Sequence, residues 1–237
     1  MIITRYQIKT PNKLKIVVVA DLHGKPTKEL LNSIKNEQPD LILIPGDLVT
    51  TRKQGDYSIE QLQKQEKAIA FLKKAITIAP IYYSKGNHEF FNDNKYFDNV
   101  ISTGVILLNN EWKRFENIWI GGQSSSCANG IIEHIKKNDV PNIEWLNNTP
   151  EGFKILLCHH PEYYNYVHKY ADLIISGHAH GGQWRFFNQG IFSPDQGLFP
   201  KYTHGKYDKM IVSAGLTNTT IIPRLFNPTE LVVIEMI

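Results

Sequence analysis

Two patterns alternate along the 237 residues. Short runs are apolar at every position, and between them lie stretches where apolar residues recur every three or four positions. Continuous apolar runs mark strands buried on both faces, and the longer spacing marks amphipathic helices. The alternation predicts an α/β fold. Strands are expected at residues 16–20, 41–44, 81–84, 105–108, 118–121, 154–158, 173–176, 210–214 and 231–235. Helices are expected at 27–36, 58–76, 95–102, 131–137 and 143–147. In the longest of them Ile59, Leu62, Ile69, Leu72 and Ile76 share one side at helical spacing, which makes that side the inward face. Residues 1–14 mix polar and apolar positions and lack the charged start and apolar run of a secretory signal. No apolar run reaches the roughly 18 residues of a membrane span. With no linker, repeat or low-complexity tract, residues 1–237 are expected to form a single domain.

Composition narrows the function classes. Hydrophobic residues are 42% and charged residues 21% of the chain, ordinary for a globular protein with a large core. Two cysteines, Cys127 and Cys158, are too few for a disulfide scaffold, so free thiols in a reducing cytoplasm are expected. Cys158 ends an apolar strand and reads as a buried, inert thiol. The net charge of +3 suits an anionic substrate. The densest basic pairs, Lys73-Lys74 and Lys136-Lys137, read as solvated helix faces, so nothing signals a nucleic acid.

The informative regularity is where the strands stop. They run out at Asp21-Leu-His23, at Gly46-Asp47, at Gly86-Asn87-His88-Glu89, at His159 and at Gly177-His178-Ala-His180. Ligands of open α/β sheets bind at the carboxyl ends of strands. One Asp suits a turn and one His is most often structural. Five such endings together predict convergence. Asp21, His23, Asp47, Asn87, His159, His178 and His180 exceed the four donors of one tetrahedral zinc and fit two divalent metal ions with water completing each shell. A bridging carboxylate is needed, and Asp47 lies between the two groups in chain order. Such a pair deprotonates a shared water near neutral pH, and the resulting hydroxide attacks phosphorus in line with the leaving alkoxide. His88 has no metal role in this scheme and is the expected catalytic residue, stabilising the transition state or protonating the leaving group. Glu89 and Asp172 are expected to orient the histidines from behind.

The five motifs, in order from residue 16 to 183, resemble those of the calcineurin-like metallophosphoesterases. The ending Gly177-His-Ala-His-Gly-Gly-Gln183 with Pro223-Arg-Leu-Phe-Asn-Pro228 looks like the bacterial branch of YaeI- and YkuE-type phosphodiesterases. The resemblance implies a four-layer α-β-β-α sandwich of two mixed β-sheets. It implies Asp21, His23, Asp47 and His180 around one metal, Asp47, Asn87, His159 and His178 around the other, and His88 as the catalytic histidine. Manganese, iron or zinc is the metal such sites take. Either of His159 and His160 is a candidate ligand, and Cys158-His159-x-Pro161 matches the usual His-x-Pro pattern. Ser213-Ala-Gly-Leu-Thr217 departs from relatives, which often carry Arg at its second place.

The implied function is phosphodiester hydrolysis. Cleavage of a UDP-linked lipid-precursor pyrophosphate is the alternative within the fold, and a metal-free binding scaffold is the alternative outside enzymology. His134, His168 and His204 read as structural. The aromatic and glycine-rich segment 186–207, with Lys201 and His204, follows the last motif and is expected to wall the substrate. Its aromatics also suit a lipid chain or a membrane surface, which would make the protein membrane-peripheral. The oligomeric state stays open.

Overall fold

Three capped helices announce how the chain leaves its strands. The computed structural model describes all residues except 52–54, 56, 126–140, 188, 194–195 and 219–222. The expected helix at 131–137, His134, Lys136-Lys137 and Cys127 therefore lie outside the described residues. In chain order come β1 (Ile2–Ile8), β2 (Leu14–Val18), α1 (Lys28–Glu37), β3 (Leu41–Ile44), α2 (Ile59–Ala75), β4 (Ile81–Ser84), α3 (Asn94–Ser102) and β5 (Ile106–Leu108). Then come β6 (Glu111–Phe115), β7 (Ile118–Gln123), β8 (Phe153–Cys158), α4 (Tyr164–Val167) and β9 (Leu173–Ser176). The last part holds β10 (Arg185–Phe186), β11 (Gln189–Gly190), β12 (Phe192–Ser193), β13 (Gly197–Leu198), β14 (Gly205–Tyr207), β15 (Met210–Val212) and β16 (Glu230–Met236). Thr27, Ser58 and Asp93 cap α1, α2 and α3, each accepting a backbone N–H three residues on.

The larger strands build two six-stranded mixed sheets. One runs β1-β16-β2-β3-β4-β5, parallel except where β16 meets β2. The other runs β14-β15-β9-β8-β7-β6, antiparallel at its two outer pairs. Strand alternation sorts the apolar residues into layers. Ile16, Val18, Leu41 and Leu43 join Ile155, Leu157, Leu173 and Ile175 between the sheets. Val17, Val19, Ile42 and Ile44 face the other way, onto Leu30 and Ile34 of α1 and Phe71 and Leu72 of α2. Leu156, Ile174 and Val212 pack outward on Leu146, Tyr163 and Val167. The expected layering of two mixed sheets between helices is what forms.

One expectation needs correction, and two features were not anticipated. The N-terminal segment is a strand, β1, whose alternating Thr4, Tyr6 and Ile8 are half-buried while the side chains between them stay exposed. The inward face of α2 is Ala68, Phe71, Leu72 and Ala75, with Ile69 and Ile76 packed against the same core; of the expected face, only Ile59 and Leu62 at its start are exposed, at 75% and 41%. In its first turn the inward position is Gln61, whose Nε2 donates to Thr51 Oγ1 at 2.7 Å, so a polar network takes the place of apolar packing. The expected strand at 118–121 is longer than its apolar run and antiparallel to an unanticipated neighbour, β6.

Candidate metal centre

Each strand-end turn delivers its side chains through unusual backbone geometry. Asp21, His23, Asp47, His178 and His180 all have positive φ, between 47° and 70°. Non-glycine residues rarely hold this left-handed conformation, and each such residue costs on the order of 1–3 kcal/mol. Five of the seven expected donors share it. Gly46, at φ 122°, makes the approach possible, since a Cβ there would sit 2.6 Å from His159 Nδ1 and 2.7 Å from Gly86 Cα. The strand-end glycines are thus explained by close packing of one motif on the next.

The two carboxylates divide their oxygens in the same way. Asp21 Oδ1 accepts the backbone N–H of His178 at 3.1 Å, and Asp47 Oδ1 accepts that of His88 at 3.0 Å. The second oxygen of Asp47 faces the imidazoles. Asp47 Oδ2 lies 3.3 Å from His159 Nε2, 3.7 Å from His23 Nε2 and 3.9 Å from His88 Nε2. Asn87 Oδ1 lies 3.0 Å from His159 Nε2 and 3.1 Å from His178 Nδ1. His180 Nε2 is 3.9 Å from Asp21 Oδ1, and its ring stacks on His23 at 5.2 Å between centroids. All seven expected donors are buried, and the structure brings all seven together.

The donor chemistry fits cations. Among the described residues, Asp21 Oδ2 and His23 Nε2 are buried without a hydrogen-bond partner, a costly state unless something else occupies them. Thr50 Oγ1 lies 2.9 Å from His23 Nδ1, fixing the ring with Nε2 inward. The Pro45 carbonyl at 3.1 Å requires a proton on His159 Nδ1. Its Nε2 then faces two oxygens, an arrangement that suits a cation. Burial lowers the pKa of His159, but the facing Asp47 carboxylate overrides this and pushes it up to about 9. Burial holds His23 and His178 well below the ordinary imidazole range, and His180 below it, so these rings stay neutral and able to ligate. Asp21, His23 and His180 form one group with converging ligand atoms, and Asp21, Asp47 and His159 another.

The surroundings differ in part from expectation. His88 is the most exposed histidine of the group, its side chain 26% accessible, with Nδ1 3.4 Å from Thr51 O. Glu89 is buried behind the site but orients no histidine. Its carboxylate accepts the backbone N–H groups of Asp47, Val49 and Gly86 at 2.8, 3.1 and 2.7 Å, pinning two ligand turns. Burial pushes its pKa up to about 7, with the Asp47 carboxylate adding to the effect. Asp172 stands apart at the start of β9, accepting Lys154 N at 2.9 Å, and has no part in the site. His159, not His160, faces Asp47 and Asn87. His160 is buried behind, its ring 4.2 Å from that of His178. His168 stacks on Tyr164, and Cys158 is buried with its thiol pKa raised by burial. His204 meets Glu230 Oε1 at 2.9 Å, and Lys201 lies over the Tyr202 ring.

One residue escaped the sequence reading. Arg224 Nη2 donates to Thr217 O at 2.6 Å and lies 3.1 Å from His180 Nδ1, while Nε and Nη1 are buried without a partner among the described residues. Asn227 ties the same segment to the site, its Nδ2 donating to His180 O at 2.7 Å. Arg224 was visible only as part of a motif; its place beside a residue 44 positions away in the chain has no local signal.

Comparison with known proteins agrees with this geometry. The family model described as calcineurin-like phosphoesterase matches residues 14–182, a span holding all seven donors and His88. A metallophosphoesterase of Campylobacter jejuni, Cj0846, is 28% identical over 97% of this chain, which spans 61% of that relative. An Aquifex aeolicus metallophosphoesterase is 26% identical over 99% of this chain and 91% of its own length. One from Helicobacter pylori strain 26695 is 24% identical over 98% of this chain and 62% of its own length. Motif order, sheet arrangement and the matched span lead to one conclusion: the chain belongs to the calcineurin-like phosphoesterase family.

Proposed function

We propose that the chain is a phosphodiesterase that works with two divalent cations, one held by Asp21, His23, Asp47 and His180, the other by Asp47, Asn87, His159 and His178. The observation that carries this reading is the inward-facing Asp47 Oδ2, 3.3 Å from His159 Nε2 and 3.7 Å from His23 Nε2, with Asp21 Oδ2 and His23 Nε2 lacking a hydrogen-bond partner among the described residues. Held there, the cations would acidify water and offset charge on phosphoryl oxygens. His88, partly exposed beside Asp47 Oδ2, hands a proton to the departing alkoxide. Arg224, held beside His180 with Nε and Nη1 unpartnered among the described residues, would supply to the phosphoryl group the cation that position 214, an alanine, does not. Burial brings its pKa down to about 10, so it remains charged at neutral pH. The motif resemblance supports the YaeI- and YkuE-type branch, and manganese, iron or zinc as the native metal.

The test is hydrolysis of bis-p-nitrophenyl phosphate, p-nitrophenyl phosphate and a UDP-linked lipid pyrophosphate, each with manganese and with chelator. The diester should be cleaved fastest, manganese should be required, and Asp47→Ala should abolish metal content and rate together. Faster cleavage of the pyrophosphate would reassign the substrate class. Less than one equivalent of metal after loading would make the chain a binding scaffold.

A further inference from the structure

Gln61 is an unexpected residue for the place it holds. It sits in the first turn of α2, on the face that Ala68, Phe71, Leu72 and Ala75 turn to the core, and is 3% exposed. A leucine there would continue the apolar face, whereas a buried amide has to be matched by hydrogen bonds. Gln61 is matched, and the groups it is matched with lead to His88.

Gln61 Nε2 donates to Thr51 Oγ1 at 2.7 Å, and Thr51 Oγ1 donates in turn to Asn92 Oδ1 at 2.7 Å. Gln65, one turn further along α2, donates from Nε2 to the same Asn92 oxygen at 3.0 Å. Asn92 is tied back to the His88 turn, because its N–H donates to Glu89 O at 3.0 Å. Thr51, 4% exposed, is therefore held between a helix and the turn that carries His88. Its carbonyl lies 3.4 Å from His88 Nδ1. The preceding residue, Thr50, meets His23 Nδ1 at 2.9 Å, so two consecutive residues each face a histidine of the centre. On the other edge of the His88 ring, Nε2 lies 3.9 Å from Asp47 Oδ2.

We infer that Gln61, Thr51 and Asn92 are positioning residues for His88. The network fixes the Thr51 carbonyl, the carbonyl keeps a hydrogen on Nδ1, and Nε2 is left as the nitrogen that serves the leaving group. A carbonyl only accepts, so it selects that tautomer. The inference rests on the phosphodiesterase reading and deepens it. The ring enters the step protonated on both nitrogens. As the P–O bond breaks, its electron pair stays on the leaving oxygen, which takes the proton from Nε2. The ring ends neutral, with its hydrogen on Nδ1.

The test is kinetics on methyl phosphodiesters with a p-nitrophenyl or a phenyl leaving group, in manganese. Nitrophenolate leaves readily without a proton, and phenolate, the stronger base, gains more from one. Gln61→Leu and Thr51→Val remove the polar link at similar volume. Each should lose about tenfold more in kcat on the phenyl ester than on the nitrophenyl ester, with KM and both equivalents of metal retained. Thr51→Ser keeps the hydroxyl and should behave as the parent. Folded variants that lose the same factor on both esters would show a merely structural role and overturn the inference, as would unchanged rates or lost metal. Nitrogen NMR of the zinc-loaded protein reads the ring without turnover. The neutral His88 ring should carry its hydrogen on Nδ1 in the parent and exchange it between both nitrogens in Gln61→Leu. A hydrogen on Nε2 in the parent would overturn the inference. If the parent cleaves neither ester, the phosphodiesterase reading falls, and the nitrogen spectrum still decides whether the network sets the ring.

Discussion

Asp47 assigns one carboxylate oxygen to the His88 amide and leaves the other to the imidazoles of His159, His23 and His88. That division separates two roles that mutation can resolve. His88→Ala removes a partly exposed imidazole but no expected donor, so it should retain both equivalents of metal and lose about 10²–10⁴ in rate. Loss of metal in that variant would show His88 to be a ligand. Thr50→Val removes the only described partner of His23 Nδ1 and should weaken metal binding by about 10–100-fold with the fold intact. Metal titration followed by plasma emission checks both. The seven donors and His88 were legible because each sits in a short motif at a strand end. Thr50 and Arg224 were not, because their roles depend on partners 27 and 44 residues away. The left-handed backbone of five donors was also hidden, since a strained Asp or His has no compositional mark.

At the scale of elements, strand ends are what the fold supplies. Gly46 lets the β3 turn press against the His159 ring and the Gly86 backbone. Gly46→Ala should cost about 2 kcal/mol or more, from a strained φ and a backbone clash, and should weaken metal binding as well. A thermal melt and a metal titration read the two effects; a variant as stable as the parent would contradict the packing argument. A second prediction concerns β1 and α1. Arg5 donates to both oxygens of Glu37 at 2.7 Å, and these bonds hold the Glu37 carboxyl below the usual carboxylate range. A carboxyl with a depressed folded pKa stabilises above its unfolded pKa, and that contribution disappears as pH falls through the folded value. Arg5→Ala should therefore melt slightly below the parent at neutral pH, and the two should converge in acid. An unchanged gap at low pH would mean that the pair contributes through packing alone. The continuous apolar strands were legible because burial on both faces demands apolar residues throughout. β1 and β6 alternate as edge strands do, and a half-buried alternation is harder to separate from loop. Only the start of the α2 face was misread, because the inward position there is Gln61, a polar residue that periodicity does not weigh.

At the scale of the molecule, two sheets hold their motif-bearing ends together, and the cations are expected to complete what the sheets leave open. Binding that favours the folded state raises its stability by about 2.7 kcal/mol at a hundredfold excess over Kd. For a chain of 237 residues that corresponds to a rise in Tm of roughly 5–10 °C. Manganese added to chelator-treated protein should give this rise, and Asp47→Ala should not respond. Among the described residues no helix is long and apolar enough to cross a membrane. The most direct measurement is anomalous diffraction from crystals grown with manganese. The account predicts two peaks, about 3.5–4 Å apart, on either side of Asp47 Oδ2. A map with no peak among Asp21, His23, Asp47, Asn87, His159, His178 and His180 would contradict it.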